Sequence, residues 1–325
     1  MIISKTPYRV SLFGGGTDHH DYFSKHNGIT VGGSINKYIY ISLRKLPVFF
    51  KHRFRISWSK IEKVKKIENI THPIVRELLK YFKLKNGLEI HYDGDLPGNS
   101  GTGSSAAFCV GLIKCLAKYT KKNLTKKEIA LLAYKIEKNK LNESTGLQDH
   151  IYATYGGFSK VIYTKKTFKI SKITNDKSIQ KRIENNLILF YTYKSRVAHN
   201  IEKKKFSNIN KKLKNLNKMK SMAYQSIKHI KNKDTNKIGL LLDQFWQHKK
   251  KLSTNVTNKK IDNYYSIAIK NGALGGKLIG AGGGGFLLIY AQKKYHNKII
   301  KSLNKLTPIK FNFSNKGSEI IENEI

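Results

Sequence analysis

Residues Leu96-Pro97-Gly98-Asn99-Ser100-Gly101-Thr102-Gly103-Ser104-Ser105-Ala106-Ala107 lead straight into an apolar run that continues to about Tyr119. Small residues opening directly into a helix leave backbone N–H groups unpaired, with the positive end of the helix dipole behind them. That spot suits a phosphate. Serine hydroxyls placed there are oxygen donors of the kind Mg2+ takes in nucleotide loops. No lysine precedes the serine pair, so this is not the common P-loop. A glycine-rich turn ending in a serine N-cap is the plainer reading of the same residues.

Two more glycine loops constrain the chain. The first closes Pro7-Tyr8-Arg9-Val10-Ser11-Leu12-Phe13-Gly14-Gly15-Gly16-Thr17-Asp18: a strand carrying Arg9, three glycines, then an acid. Glycines permit close approaches that a Cβ forbids, and an acid after such a turn can hold a polyol through charged hydrogen bonds. Asp18 could equally cap the next helix. The other loop is Gly275-Gly276-Lys277-Leu278-Ile279-Gly280-Ala281-Gly282-Gly283-Gly284-Gly285. Consecutive glycines are costly to order, and apolar residues on both sides argue against a flexible surface hairpin.

Two of the 21 acidic residues stand out. Glu137 lies one turn beyond Ala133, at the edge of an apolar helical face. A carboxylate there is costly unless it is paired or holds a metal, although an exposed glutamate beside lysines is a fair competitor. Asp149, in Gly146-Leu147-Gln148-Asp149-His150, reads either as a site acid or as a helix cap.

Around these motifs the pattern predicts strands at residues 9–13, 38–43, 54–58, 88–92, 158–163, 187–193 and 286–290. Helices are predicted at 73–82, from the second loop to about 119, after the capping box Thr125–Glu128, and at 203–220, 238–250 and 259–271. The mixture is α+β, with a domain boundary near 175–186 and domains at 1–180 and 181–325.

The chain has 325 residues and a formal charge of +41. Nucleic-acid binding is the obvious suspicion, yet only seven of the 62 basic residues are arginines, and no nucleic-acid motif is present. Arginine's planar fork is what phosphate and base-edge recognition favours. The lysines read as solvated faces, with anionic small molecules still favoured as ligands. Cys109 and Cys115 match no metal or disulfide framework and read as buried thiols in a reducing compartment. No apolar run is long enough for a membrane helix. The expectation is a cytoplasmic protein that contacts neither membrane nor nucleic acid, with a homodimer left open.

Taken jointly, the three loops resemble the GHMP kinase superfamily across residues 5–290. Within it, SKTPYRVSLFGGGTD, GLQDHIYATYGGF and GKLIGAGGGGF look most like the heptose 7-phosphate kinases. The resemblance implies a two-domain α+β architecture: an N-terminal domain like the second domain of ribosomal protein S-five, then a ferredoxin-like C-terminal domain, with the active site between them. It implies ATP and Mg2+ as cofactors. Pro97, Gly98, Asn99, Ser100, Gly101, Thr102, Gly103, Ser104, Ser105 and Ala106 would wrap the ATP phosphates, and Ser105 with Glu137 would hold the metal. Asp149 and Arg9 would be catalytic. Gly15, Gly16, Thr17, Asp18, Gly282, Gly283 and Arg196 would meet the substrate, with Arg53 and Arg55 as other candidates for a distal phosphate. The implied reaction is phosphorylation of an anomeric hydroxyl, on D-glycero-D-manno-heptose 7-phosphate in the first instance. Galactokinases carry Glu-His where this chain has Gly15-Gly16, which argues against galactose and leaves room for a longer sugar. The alternatives are a fucokinase-like or galactokinase-like enzyme, a non-catalytic sugar-binding relative, which should lack the two acids, or a basic nucleic-acid binder.

Overall fold

A computed structural model describes residues 1–193 and 209–323. Its first layer is built on two long strands, β1 (Ile2–Phe13) and β2 (Gly28–Lys45), paired antiparallel. β2 reaches well past the predicted 38–43. Its first half carries Gly28, Gly32 and Gly33, which depress a strand reading. The glycines are there for contact: a Cβ on Gly28 would lie 1.9 Å from the Thr17 carbonyl, and one on Gly33 would lie 2.7 Å from that of Gly157.

β3 (Phe54–Ser57), β4 (Ile61–Val64) and β5 (Leu88–Gly94) extend this sheet from β2, in the order β2-β5-β3-β4, with β3 parallel to β5. β6 (Phe158–Tyr163) pairs with the glycine-rich start of β2, and β7 (Phe168–Lys172) pairs with β6. The second sheet is antiparallel, in the order β11-β8-β10-β9, from β8 (Leu187–Tyr191), β9 (Ala273–Leu278), β10 (Phe286–Ala291) and β11 (Thr307–Ile309). β12 (Glu319–Asn323) then returns to the first sheet and covers the outer edge of β1, from Ile2 to Lys5. An unpaired β1 edge would be a liability. A single cut at residue 180 therefore does not assign every residue after it to the second sheet.

The helices are α1 (His20–His26), α2 (Pro73–Tyr81), α3 (Ser104–Tyr119), α4 (Lys126–Lys135), α5 (Gln148–Tyr155), α6 (Lys177–Asn185), α7 (Ile209–Lys231), α8 (Thr235–Lys250), α9 (Lys259–Lys270) and α10 (His296–Ser302). α3 is apolar on nearly all sides because it lies against β1 and β2 within the core. Gly111 lets it approach: a Cβ there would be 2.8 Å from Thr6 Oγ1. Cys109 and Cys115 are free, buried thiols on this helix, both pushed up by burial. The capping box at Thr125 and Glu128 makes both of its reciprocal bonds. Helix α7 starts at Ile209 and buries Leu216 and Met219. Residues 203–208 of the predicted helix fall outside the described residues, as does Arg196. α8 packs on β9 and carries Phe245, whose ring meets Phe13 of β1 edge-on at 5.7 Å.

Candidate active site

The second glycine loop ends at the N-terminus of α3. Gly101 and Gly103 both adopt positive φ, and Gly103 is the N-cap in the left-handed region. A Cβ on Gly103 would sit 3.2 Å from Arg9 Cγ, so the loop wraps the arginine's stem. Arg9 completes the contact by donating its backbone N–H to the Thr102 carbonyl (3.0 Å) and Nη1 to the Gly101 carbonyl.

The rest of the Arg9 guanidinium is aimed at Asp149. Nε donates to Oδ1 at 2.7 Å and Nη2 to Oδ2 at 2.6 Å, a two-point fork that fixes the carboxylate plane. Arg9 is buried and Asp149 half-buried in the first turn of α5.

Glu137 lies in a π turn, Ile136–Lys140, that continues α4. Its wide turn closes with Leu141 N donating to the Ile136 carbonyl at 3.1 Å. A π turn re-aims the residues after it and recurs at functional sites; here Glu137 is only 2% exposed. Ser105 Oγ donates to its Oε1, and its Oε2 meets Nε2 of the fully buried His150 at 2.6 Å. The exposed alternative for Glu137 is thereby excluded. Two neighbours of this cluster escaped sequence reasoning. His150 follows Asp149 directly, and adjacency to a candidate acid was its only available signal. Glu143 lies in the same cleft, its carboxyl pushed up to about 7 by burial and then by the charge of Glu137.

Asp18 is fully buried. Its Oδ1 accepts from Gly16 N at 2.8 Å and its Oδ2 from Gln148 N at 3.3 Å. It ties the first glycine loop to the start of α5 rather than capping α1. Burial first, then the Asp149 charge, holds its carboxyl above the usual range. Gly146 must be glycine here, since a Cβ would lie 2.0 Å from Asp18 Oδ2.

Two adjoining cavities share Arg9, Asp149, Thr145 and Gly280. One is floored by the second loop, with Ser105, Ala106, Glu137 and Glu143. The other opens toward Gly15, Gly16 and Asp18, with Phe245, Lys249 and Lys277 opposite. Both lysines are buried: Lys249 Nζ donates to the Leu278 and Gly280 carbonyls, and Lys277 Nζ to that of Leu12. The first cavity runs on, past Asn99, Ser104 and Ser105, into an aromatic recess of Trp58, His72, Tyr92 and Phe108. These residues come from separate elements, and no local pattern in the sequence joins them.

Several expected contacts fall elsewhere. Thr17 is fully buried; its hydroxyl accepts from Ile29 N and shares its one proton between the Gly14 and Ile29 carbonyls, which closes the turn. Gly282 and Gly283, expected to meet the substrate, do not line the cavity beside Gly15 and Gly16. They pack on Val256, with Gly283 N donating to its carbonyl at 2.9 Å, and Gly280 is the loop residue that faces the cavity. Ser100 and Thr102 are buried and bonded to each other through their hydroxyls at 3.0 Å. Pro97 is exposed and outside both cavities. Arg55 is paired with Glu89, and Arg53 donates to the Lys85 carbonyl, both away from the cleft.

Comparison with known proteins agrees with this geometry. Residues 68–157 match the GHMP kinases N terminal domain and residues 226–307 the GHMP kinases C terminal domain. The chain belongs to the GHMP kinases, ATP-dependent phosphotransferases with this two-domain fold. Among its relatives, the D-glycero-alpha-D-manno-heptose 7-phosphate kinase of Campylobacter jejuni is 31% identical, over 94% of this chain and 93% of the relative. A mevalonate kinase of Methanocaldococcus jannaschii is 29% identical over 71% of each chain. The crystal structure of a D-glycero-D-manno-heptose 1-phosphate kinase from Bacteriodes thetaiotaomicron superposes with a TM-score of 0.82 and 20% identity, covering 100% of both chains, a likeness of fold. Among the described residues, no helix is long and apolar enough to cross a membrane.

Proposed function

We propose that this kinase transfers the γ-phosphoryl group of ATP to the anomeric hydroxyl of D-glycero-D-manno-heptose 7-phosphate, giving the 1,7-bisphosphate. The observation that carries the reading is the Arg9–Asp149 fork, which stands where the two cavities meet. The triphosphate takes the cavity floored by the second loop, against the N-terminus of α3, and the adenine takes the aromatic recess. The sugar takes the cavity beside Gly15 and Gly16. The 31% identity to a heptose 7-phosphate kinase favours the heptose over other sugars.

Phosphoryl transfer needs alignment and charge neutralisation more than covalent help from the protein. Asp149, its plane set by Arg9, orients the acceptor hydroxyl and takes its proton. An anomeric hydroxyl is more acidic than an ordinary alcohol, so a carboxylate suffices. Arg9 stabilises the charge that builds on the transferred group. The Ser105 hydroxyl and the Glu137 carboxylate are hard oxygen donors already in contact within the cleft, which fits Mg2+. When bound, Mg2+ neutralises triphosphate charge. His150 holds the far oxygen of Glu137, leaving Oε1 for the cleft.

The test is an ATP-consumption screen across sugars and sugar phosphates, with 31P NMR to locate the new phosphate. Heptose 7-phosphate should be phosphorylated at carbon one, far faster than galactose. Equal rates on galactose would sink the assignment. Asp149→Asn should lower kcat by roughly 10^3-fold with little change in the KM for ATP. Glu137→Gln should raise the Mg2+ concentration needed for half-maximal rate, and an unchanged requirement would remove Glu137 from the metal site.

A further inference from the structure

Two residues that line the substrate-side cavity carry polar atoms that the fold does not satisfy. Ser11 Oγ and Gln148 Oε1 are buried without a protein hydrogen-bond partner, on residues 4% and 8% exposed. Other buried atoms of this kind occur among the described residues, but only these two belong to residues lining that cavity. Leaving such a group unmet is costly, and native structures pair nearly all of them.

The two side chains converge. A Cβ built on Gly15 would lie 3.6 Å from Ser11 Oγ and 3.6 Å from Gln148 Nε2. Both side chains therefore border the space on the Cβ side of Gly15. Their register with the reacting pair is also fixed. Ser11 stands two residues after Arg9 with no bulge between them, hence on the same face of β1. Gln148 immediately precedes Asp149 in α5. Ser11 and Gln148 thus neighbour Arg9 and Asp149 on the same strand and the same helix.

We infer that Ser11 and Gln148 form a subsite for the acceptor's hydroxyls next to the reacting one, so that the ligand class is a vicinal polyol. Gln148 Oε1 accepts from one hydroxyl. Ser11 Oγ, which can donate or accept, meets its neighbour. Gly15 supplies the clearance that a larger side chain would remove. This inference rests on the substrate-side cavity being the acceptor site.

The experiment compares Ser11→Ala and Gln148→Met, the latter chosen for similar volume, with the unmodified enzyme on the best sugar from the screen. Each variant should raise the sugar KM by about five- to tenfold, the worth of one neutral hydrogen bond, with the ATP KM within twofold. A deoxy analogue lacking the bonded hydroxyl should bind the unmodified enzyme and the matching variant equally well. Calorimetric Tm values separate this from misfolding. An active enzyme whose variants leave the sugar KM unchanged, or shift the sugar and ATP KM alike, overturns the subsite but not the kinase reading. If the screen selects another polyol, the same ratios read on that polyol test the subsite while the heptose assignment fails alone. If isothermal titration beside a non-hydrolysable ATP analogue detects no sugar bound to the unmodified protein, both fall.

Discussion

The loops at 97–106 and 280–285 are alike in composition and differ in what their glycines are for. In the first, Gly101 and Gly103 turn the backbone through positive φ around the Arg9 side chain and leave the start of α3 facing the cleft. In the second, Gly280 faces the cleft, while Gly282 and Gly285 meet protein. A Cβ on Gly285 would lie 2.0 Å from the Ser100 carbonyl, and one on Gly282 would lie 2.6 Å from that of Val256. Phe286 N donates to the same Ser100 carbonyl at 3.1 Å. The second loop of the pair is thus a clamp that presses the C-terminal sheet onto the loop of the N-terminal one. A glycine run shows that something must approach closely; it does not say whether that is a ligand or another stretch of backbone.

Substitutions at the two loops should separate accordingly. The largest effect belongs to Gly285→Ala, which combines a φ of +89° with a backbone clash that no side-chain motion relieves. We expect a loss of about 3 kcal/mol or more, read as a fall in Tm by calorimetry together with loss of activity. A variant that keeps its Tm and loses only activity would put these glycines at the ligand and erase the contrast.

Gly103→Ala should fall on the other side. Its φ of +75° costs an alanine ~1–2 kcal/mol, but the contact it crowds, Arg9 Cγ at 3.2 Å, is a side-chain stem rather than backbone. Stability should fall less than for Gly285→Ala. Because Arg9 positions Asp149, kcat should fall about tenfold or more, as small misplacements of reacting groups do. A Tm loss equal to that of Gly285→Ala, with kcat intact, would make the two loops equivalent.

What the sequence disclosed follows the same division. Arg9, Ser105 and Asp149 stand in or beside short motifs whose backbone requirements are local, while the convergence of these residues with Glu137 on one cleft was anticipated only through the family resemblance that the three loops carry jointly. The capping box was equally legible, because its two bonds span three residues. The partners were hidden. His150 reaches Glu137 only because a π turn follows α4, and hydrophobic periodicity does not register one extra residue in a turn. The aromatic recess draws on the residue after β3, the residue before α2, β5 and α3, segments far apart in the sequence. The first half of β2 was missed because its glycines serve packing against the Thr17 and Gly157 carbonyls, a property of neighbours far along the chain.

The smallest expected effect concerns Glu143, which lines the cavity floored by the loop at 97–106. Its carboxyl is raised from 4.5 to about 7, chiefly by burial and then by Glu137. The folded state therefore binds this proton more tightly than the unfolded chain. The associated stability is fully present below about pH 4.5 and is lost as pH rises through about 7, because the unfolded chain ionises first. Glu143→Gln cannot ionise. Its stability relative to the unmodified protein should climb between about pH 5 and pH 7 and level off above, by ~1–2 kcal/mol once solvent screening of this half-buried group is discounted, and its Tm should follow. Calorimetry with EDTA across that range reads the difference directly. A Tm difference that does not vary with pH would mean that Glu143 is as well solvated in the folded state as in the unfolded one, and that the floor of the nucleotide-side cavity is less enclosed than the Ser105–Glu137–His150 cluster implies.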